Sequence, residues 1–479
     1  MALLVLLLAT AGRYGYHRDE LYFRVLGFHP QWGYVDQPPM TPLLARAAIV
    51  VFGDSVGALR VPAALCAVAT TLLLAALARE LGGSRGAQIL AALGALGAFP
   101  LIAGHTLVTS SVDMPFWLGV LVLVVRALLH EDRTAWLLAG AVTGVATYDK
   151  LLVALLLLCL AAGLVLVGPR RPLHSRAVWT GVLLAALIGA PNIAYQVAHG
   201  FPQIAMARSL SAHKGHDARI TLVPLQLVML GPLLVPIWVA GLVALLRRQA
   251  WRPLRAIAVA YLLMAAFLLV TGGQPYYTLG LLLTLWTAGC VVAWEWAQRG
   301  HARRRSGLLA AAVALDTAVA MVLALPRVPP PTLGSTPIPA INQVARDSVG
   351  WPTYVAQVAR VWHALPPEEQ AHAVIVTGNY GEQGAIARFG PRLGLPDAYS
   401  GQNALWGLAR PPDGTTTVVL INYADADAWL ATRFASCQVR DRLDDEIGVD
   451  NEEQGEPVRV CTTPRRPWPS LWGDFHHLD

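Results

Sequence analysis

Two acidic stretches and one lysine stand out by residue type and spacing. Arg18-Asp19-Glu20-Leu21-Tyr22-Phe23 is followed by Gly33-Tyr34-Val35-Asp36-Gln37-Pro38-Pro39, and both lie between apolar segments. Asp149-Lys150 sits between two apolar runs with almost no loop. A carboxylate so placed can take the proton of an attacking hydroxyl. A cation can stabilise the charge that builds on a departing anion. In a hydrophobic chain such residues mark functional-site candidates, because charge near a bilayer must be stabilised by something. Lys150 and Lys214 are the only lysines; every other basic residue is Arg.

The elements that position these residues follow from composition. The 479 residues are 55% hydrophobic and 14% charged, where a soluble chain carries roughly a quarter charged residues. The chain therefore reads as a polytopic α-helical membrane protein. Its formal charge of +6 comes from Arg in short loops and excludes no-membrane, nucleic-acid-binding readings. Apolar spans are expected near 1–16, 56–78, 86–104, 114–129, 134–148, 151–168, 177–197, 220–246, 255–272, 278–298 and 307–325, which is about 11 transmembrane helices. The first run is short, without a cleavable-signal pattern, so the natural start is expected upstream of Met1.

Arg-rich loops alternate with Arg-poor ones. The positive-inside rule puts the Arg-rich set and the N-terminus in the cytoplasm. The 17–55 loop, the 105–113 loop, the 148–151 turn, the 198–219 loop and the 272–277 turn are then external. Asp19, Glu20, Asp36, Asp113, Lys150, His213, Lys214, Tyr276 and Tyr277 fall in them. Pro326 to Pro339 reads as a stiff linker (326–340) between a membrane domain (1–325) and a small extracytoplasmic α/β domain (341–479). Expected strands there are 373–378, 415–423, 438–443 and 458–463, with helices at 351–364 and 424–435. Cys437 and Cys461 border the last two strands and, if outside the cell, can form a disulfide. Cys66, Cys159 and Cys290 read as small buried hydrophobes.

The order of Asp19-Glu20, Val35-Asp36-Gln37-Pro38-Pro39, Asp113 after Thr109-Ser110-Ser111, and Lys150 resembles the GT-C membrane glycosyltransferases. It is most similar to bacterial members of family 39, the protein O-mannosyltransferase and aminoarabinose-transferase group. The resemblance covers about residues 1–325. It implies an inverting enzyme of the outer face of the cell membrane that takes a monosaccharide from a polyprenyl-phosphate donor to a lipid, glycan or protein acceptor. The family carries mannose, arabinose, aminoarabinose and galacturonic acid in this way. It implies Asp19 as base, Glu20 as an orienting partner and Asp113 as a third catalytic acid. Donor phosphate binding falls to Lys150, with Arg18 as helper. Where relatives have Glu-Lys-Pro-Pro and Gly-Gly-Lys-Pro-Tyr-Tyr, this chain has Asp36-Gln37-Pro38-Pro39 and Gly272-Gly273-Gln274-Pro275-Tyr276-Tyr277. Both lysines are lost, which implies either a shifted donor mode or compensation by Lys214 or Arg208; Gln274, Tyr276 and Tyr277 are the turn's candidate phosphate-binding residues. Asp36 with His213 or His216 is a candidate divalent-metal pair, and no other cofactor is implied. The C-terminal markers Gly378-Asn379-Tyr380-Gly381-Glu382 and Asp450-Asn451-Glu452-Glu453-Gln454-Gly455 resemble a module attached to many bacterial members. It would cover the site or hold the acceptor.

Plainer roles compete. Asp19 can cap a helix, as can Asp113 ahead of Met114-Pro115. Lys150 can snorkel to headgroups, and Tyr276 and Tyr277 can be interfacial aromatics. Gly378 to Gly381 is a plain turn or an anion cradle. Residues 444–456 are a solvated loop or a cation site. The rival functions are a glycolipid transporter, which would need polar or broken helices at mid-membrane, and a catalytically silent scaffold that kept the fold.

Overall fold

The computed structural model describes all 479 residues. It divides into two compact units, each assembled from separated stretches of chain. The first, here the helical unit, comprises Met1–Ala9, Gln37–Thr41 and Arg60–Leu325; the second, the loop unit, comprises Thr10–Asp36, Pro42–Leu59 and Pro326–Asp479.

In the helical unit and its flanks, six helices are long and apolar enough to cross a membrane: Val56–Glu80, Thr109–His130, Arg176–Ala198, Gln249–Thr271, Pro275–Ala297 and Ala302–Ala324. Two bent pairs, Arg85–Leu96 with Ala98–His105 (63°) and Pro202–Val228 with Pro232–Arg247 (73°), raise the number to eight at most. The expected count of eleven is not reached, for three local reasons. The 1–16 run forms only the nine-residue helix Ala2–Thr10. The runs at 134–148 and 151–168 form helices of 14 and 15 residues, Arg133–Ala146 and Leu152–Leu166. A span needs about 20. The core of the unit is Leu279–Ala297, buried continuously from Leu279 to Val291, with Trp286 donating its indole N–H to the Ala91 carbonyl at 2.9 Å.

Most of the expected 198–219 loop is instead the first two thirds of the helix Pro202–Val228. Pro202 starts it, where a missing N–H costs nothing. The Ala, Met, Arg, Leu and Lys that follow are good helix formers, whatever their polarity.

The loop unit carries a five-stranded sheet in the order β2-β1-β3-β5-β4. The strands are β1 (Ala373–Thr377), β2 (Ala398–Ser400), β3 (Thr417–Ile421), β4 (Phe434–Arg442) and β5 (Pro457–Pro464). β1 pairs in parallel with β2 and β3, while β5 runs antiparallel to β3 and β4. The apolar run Thr417-Val418-Val419-Leu420-Ile421 is buried at every position, as a central strand covered on both faces requires. Cys437 faces Cys461 across β4 and β5, and the two form a disulfide. Trp468, Trp472, Phe475 and Phe434 pack with Val374, Val376, Val418 and Leu420 in one apolar cluster. The Pro-rich stretch is not a bare linker: Pro330–Leu333 and Ile338–Ile341 are short helices with Pro in the first turn. Residues 444–456 form an irregular loop in which exposed and buried positions alternate. Asp445 is 2% exposed and accepts from the backbone N–H groups of Ile447, Gly448 and Val449.

Candidate active site

The loop unit holds the expected acids on and after the helix Arg18–Phe28. His17 caps that helix through a reciprocal box. Its Nδ1 accepts from the Asp19 N–H at 3.3 Å, and its own N–H donates to Glu20 Oε2 at 2.9 Å. Glu20 is fully buried. Its geometry is that of a capping side chain, which satisfies an end donor of the helix. Asp19 is different: its side chain is 31% exposed, so an acceptor can reach it. One of its oxygens, Oδ1, accepts from the Tyr380 hydroxyl at 2.8 Å.

Tyr380 reaches Asp19 because two helices approach closely. The helix Tyr380–Phe389 presents Gly381 and Gly384 to the helix Arg18–Phe28. A Cβ on Gly384 would meet the Leu21 backbone at 2.8 Å, and one on Gly381 would meet Arg18 Cβ at 3.0 Å. Tyr380 also stacks on Tyr22 with ring centroids 4.7 Å apart. The Tyr22 hydroxyl donates to Asp36 Oδ1 at 3.1 Å and accepts from the Ala404 N–H at 3.3 Å. Burial pushes the Asp36 carboxyl up to about 7; hydrogen bonds from backbone and Tyr22 oppose the rise and the Asp19 charge adds to it.

Arg18, expected beside the donor phosphate, is 6% exposed. It is paired with Glu452 and lies 4.9 Å over the Tyr380 ring. Glu452 already neutralises it. The turn at Gly378-Asn379 is closed to anions as well. Glu382 Oε2 accepts from the N–H groups of Gly378 and Asn379, Asn379 Oδ1 accepts from that of Glu382, and Gln402 Oε1 accepts from that of Tyr380. Both C-terminal markers meet here, since Asn379 Nδ2 donates to Glu453 Oε1 at 3.1 Å.

The helical unit brings a second set together. Lys150 follows the helix Arg133–Ala146, and its Nζ donates to Ser110 Oγ at 3.1 Å. It lies 5.6 and 5.4 Å from the ring centres of Tyr276 and Tyr277. Ser110, Asp113, Trp117, Lys150, Tyr276 and Tyr277 line one cleft. Asp149 accepts from Thr41 Oγ1 at 2.7 Å. Asp113 Oδ1 and Asp149 Oδ2 are buried without a hydrogen-bond partner.

The turn that carries the two tyrosines is pinned from below. Gln226 donates to the Pro275 carbonyl and accepts from the Thr278 and Tyr261 hydroxyls. Gly272 starts the turn at φ +70°, and a Cβ there would lie 2.7 Å from Gly215 Cα. Lys214, adjacent to that contact, is exposed on the helix Pro202–Val228, and Gln274 belongs to the turn itself.

The metal expectation fares less well. His213 is exposed on a helix and its Nδ1 faces the Ser209 carbonyl at 2.9 Å. Asp36 has Tyr22 as its partner. No group of three or more His, Cys, Asp or Glu side chains is placed to hold a metal ion. The residues present do not fit a resident metal.

Sequence reasoning missed Tyr22, Tyr380, Ser110 and Gln226 as site residues. Tyr380 lies within a marker motif, but nothing in its spacing shows a partner 361 residues away. A buried Gln in an apolar helix is the one signal that could have exposed Gln226, since such a group requires partners.

Residues 36–195 match the family model of dolichyl-phosphate-mannose-protein mannosyltransferases. No curated protein matches the sequence. Among solved structures, ArnT from Cupriavidus metallidurans bound to undecaprenyl phosphate is similar at 15% identity and TM-score 0.59, covering 96% of each chain. The apo state of the same protein aligns at 16% identity and TM-score 0.59, over 98% of this chain and 97% of that one. The arabinofuranosyltransferase AftD from Mycobacteria aligns at 15% identity and TM-score 0.50, over 97% of this chain and 41% of its own. The chain is thus a multi-pass membrane protein with the GT-C fold, similar to the family 39 transferases, and its residues 36–195 match the mannosyltransferase model.

Proposed function

We propose that this protein is an inverting glycosyltransferase. It moves a monosaccharide from a polyprenyl phosphate to a lipid, glycan or protein acceptor at the outer face of the cell membrane, with the N-terminus inside. The observation that carries this reading is the Lys150 cleft. The only lysine of the matched segment lies among a serine and two tyrosines, a donor set suited to a phosphate. The undecaprenyl phosphate bound to ArnT is a carrier of the right class.

The chemistry divides between two side-chain sets. The acceptor hydroxyl oxygen forms the new bond to the anomeric carbon while the bond from that carbon to the phosphate oxygen breaks. The leaving group is already a stable phosphate, so no acid is needed. Asp19 takes the acceptor proton, a role worth about 10²- to 10⁴-fold in such reactions. Lys150, with the Ser110, Tyr276 and Tyr277 hydroxyls, holds the negative charge that builds on the departing phosphate. Asp113 orients Lys150 in that cleft, and Gln274 and Lys214 flank the turn beside it. Asp36 holds Tyr22, and no step runs through a metal.

The test is transfer by the purified protein from a panel of radiolabelled polyprenyl-phosphate sugars to membrane extract. Label incorporated by the parent, and lost in Asp19→Asn and Lys150→Ala, supports the reading and names the sugar. A folded parent that transfers from no donor overturns it in favour of a scaffold or transporter.

A further inference from the structure

We propose that Tyr380 is a positioning residue for the Asp19 carboxylate, so that the reaction depends on a residue from the C-terminal stretch of the loop unit, Pro326–Asp479, which follows the last membrane-length helix. The inference rests on the transferase reading above. The Tyr380 hydroxyl donates to Asp19 Oδ1 at 2.8 Å, which leaves Oδ2 for an incoming hydroxyl. His17 does not compete for that oxygen. Its Nδ1 accepts from the Asp19 N–H at 3.3 Å, and its 3.8 Å approach to Oδ2 is longer than a hydrogen bond.

Tyr380 is itself fixed from four sides. Its ring stacks on Tyr22, the Arg18 guanidinium lies over it, its N–H is held by Gln402, and its helix meets Arg18–Phe28 through Gly381 and Gly384. A phenol clamped in this way holds one carboxylate rotamer, and a base must be held to within a fraction of an ångström for efficient proton transfer. Tyr22, stacked on the same ring, holds Asp36. One aromatic pair therefore orients both Asp19 and Asp36.

The test is Tyr380→Phe, which keeps the ring and removes only the hydroxyl. Donor KM is expected to stay within about twofold while kcat falls roughly 10- to 100-fold, with the melting temperature unchanged. In the Asp19→Asn background the same substitution should cost nothing further, since the hydroxyl acts through that carboxylate. Unchanged kcat in an active, folded Tyr380→Phe protein overturns the proposal, as does a full additional loss on top of Asp19→Asn. A fall in kcat that follows a fall in melting temperature also overturns it, because the hydroxyl is then structural. A parent inactive with every donor overturns the transferase reading, and this inference with it. An active parent with an indifferent Tyr380 overturns this inference alone.

Discussion

Asp19 and Lys150 both sit among polar side chains, but the two neighbourhoods are built to opposite rules. Around Asp19, Tyr380 holds the carboxylate, Tyr22 holds Asp36, and Glu452 neutralises Arg18. Of those six side chains only Arg18 keeps a buried atom, Nε, without a partner. Around Lys150, two buried carboxylates each keep an unpaired oxygen, on Asp113 and Asp149. A buried polar atom without a partner costs about 1–3 kcal/mol, a cost that the surrounding apolar packing must offset. On the proposed reading, the saturated cluster holds its carboxylate in advance for proton transfer, where geometry decides the rate. The unsaturated one keeps bonding capacity that a ligand and its waters can use. If the two clusters are the proposed base and anion site, the comparison teaches that these roles need different degrees of internal satisfaction.

The sharpest way to break this comparison is Asp19→Asn, which keeps the Tyr380 hydrogen bond and removes the basic oxygen. Transfer of radiolabelled sugar is expected to fall about 10³-fold or more, with the melting temperature held. Retained transfer would reduce the saturated cluster to scaffolding. Next in size is Lys150→Ala. It should lower kcat/KM for the donor by roughly 10²- to 10³-fold, in steady-state kinetics against donor concentration. A loss confined to stability would make Lys150 a structural counter-charge to Asp113 and Asp149.

Glu20→Ala separates the neighbours in the acidic pair. It removes the acceptor of the His17 N–H and should lower unfolding stability by about 1–3 kcal/mol, while costing turnover far less than Asp19→Asn. Urea unfolding alongside the transfer assay gives both numbers. A larger turnover loss than stability loss would restore Glu20 to the chemistry.

The smallest effect concerns pH. Burial, with a nearby Glu453, raises the Glu382 carboxyl from 4.5 to about 8. Burial also raises Glu453 from 4.5 to about 7, against the pull of Arg18. The folded state then keeps protons that the unfolded chain releases. Stability is complete below the unfolded value near 4.5 and is lost as pH rises from there through about 7 to 8. The parent should melt at lower temperature at pH about 8 than at about 5, and Glu453→Gln should flatten that slope. A slope of the opposite sign would mean that Arg18 dominates the cluster.

Much of this was legible in the sequence. The acidic pair, the lone Lys150 and the tyrosine turn are local signals, and charge amid apolar residues is visible without a structure. The paired strands that carry Cys437 and Cys461 were readable from alternation with turns. Hydropathy overcounted the spans, because it cannot see that the run at 134–148 stops one turn too early or that Gly12 and Gly15 interrupt the first. Polarity misled at 198–219, where helix propensity outweighs composition. The Tyr380–Asp19 bond had no local signature at all, since it depends on two glycines letting distant helices meet.

The loop unit is stitched from the first and last parts of the chain, and this sets an order in time as well as in space. Tyr380 is made 361 residues after Asp19, a delay of roughly 20 to 70 seconds at about 5–20 residues per second. For that interval the early stretch waits with Leu21 and Tyr22 uncovered by the later one. A ribosome that stops short leaves Asp19 without its Tyr380 hydrogen bond, so completion of the polypeptide is itself a checkpoint on this cluster.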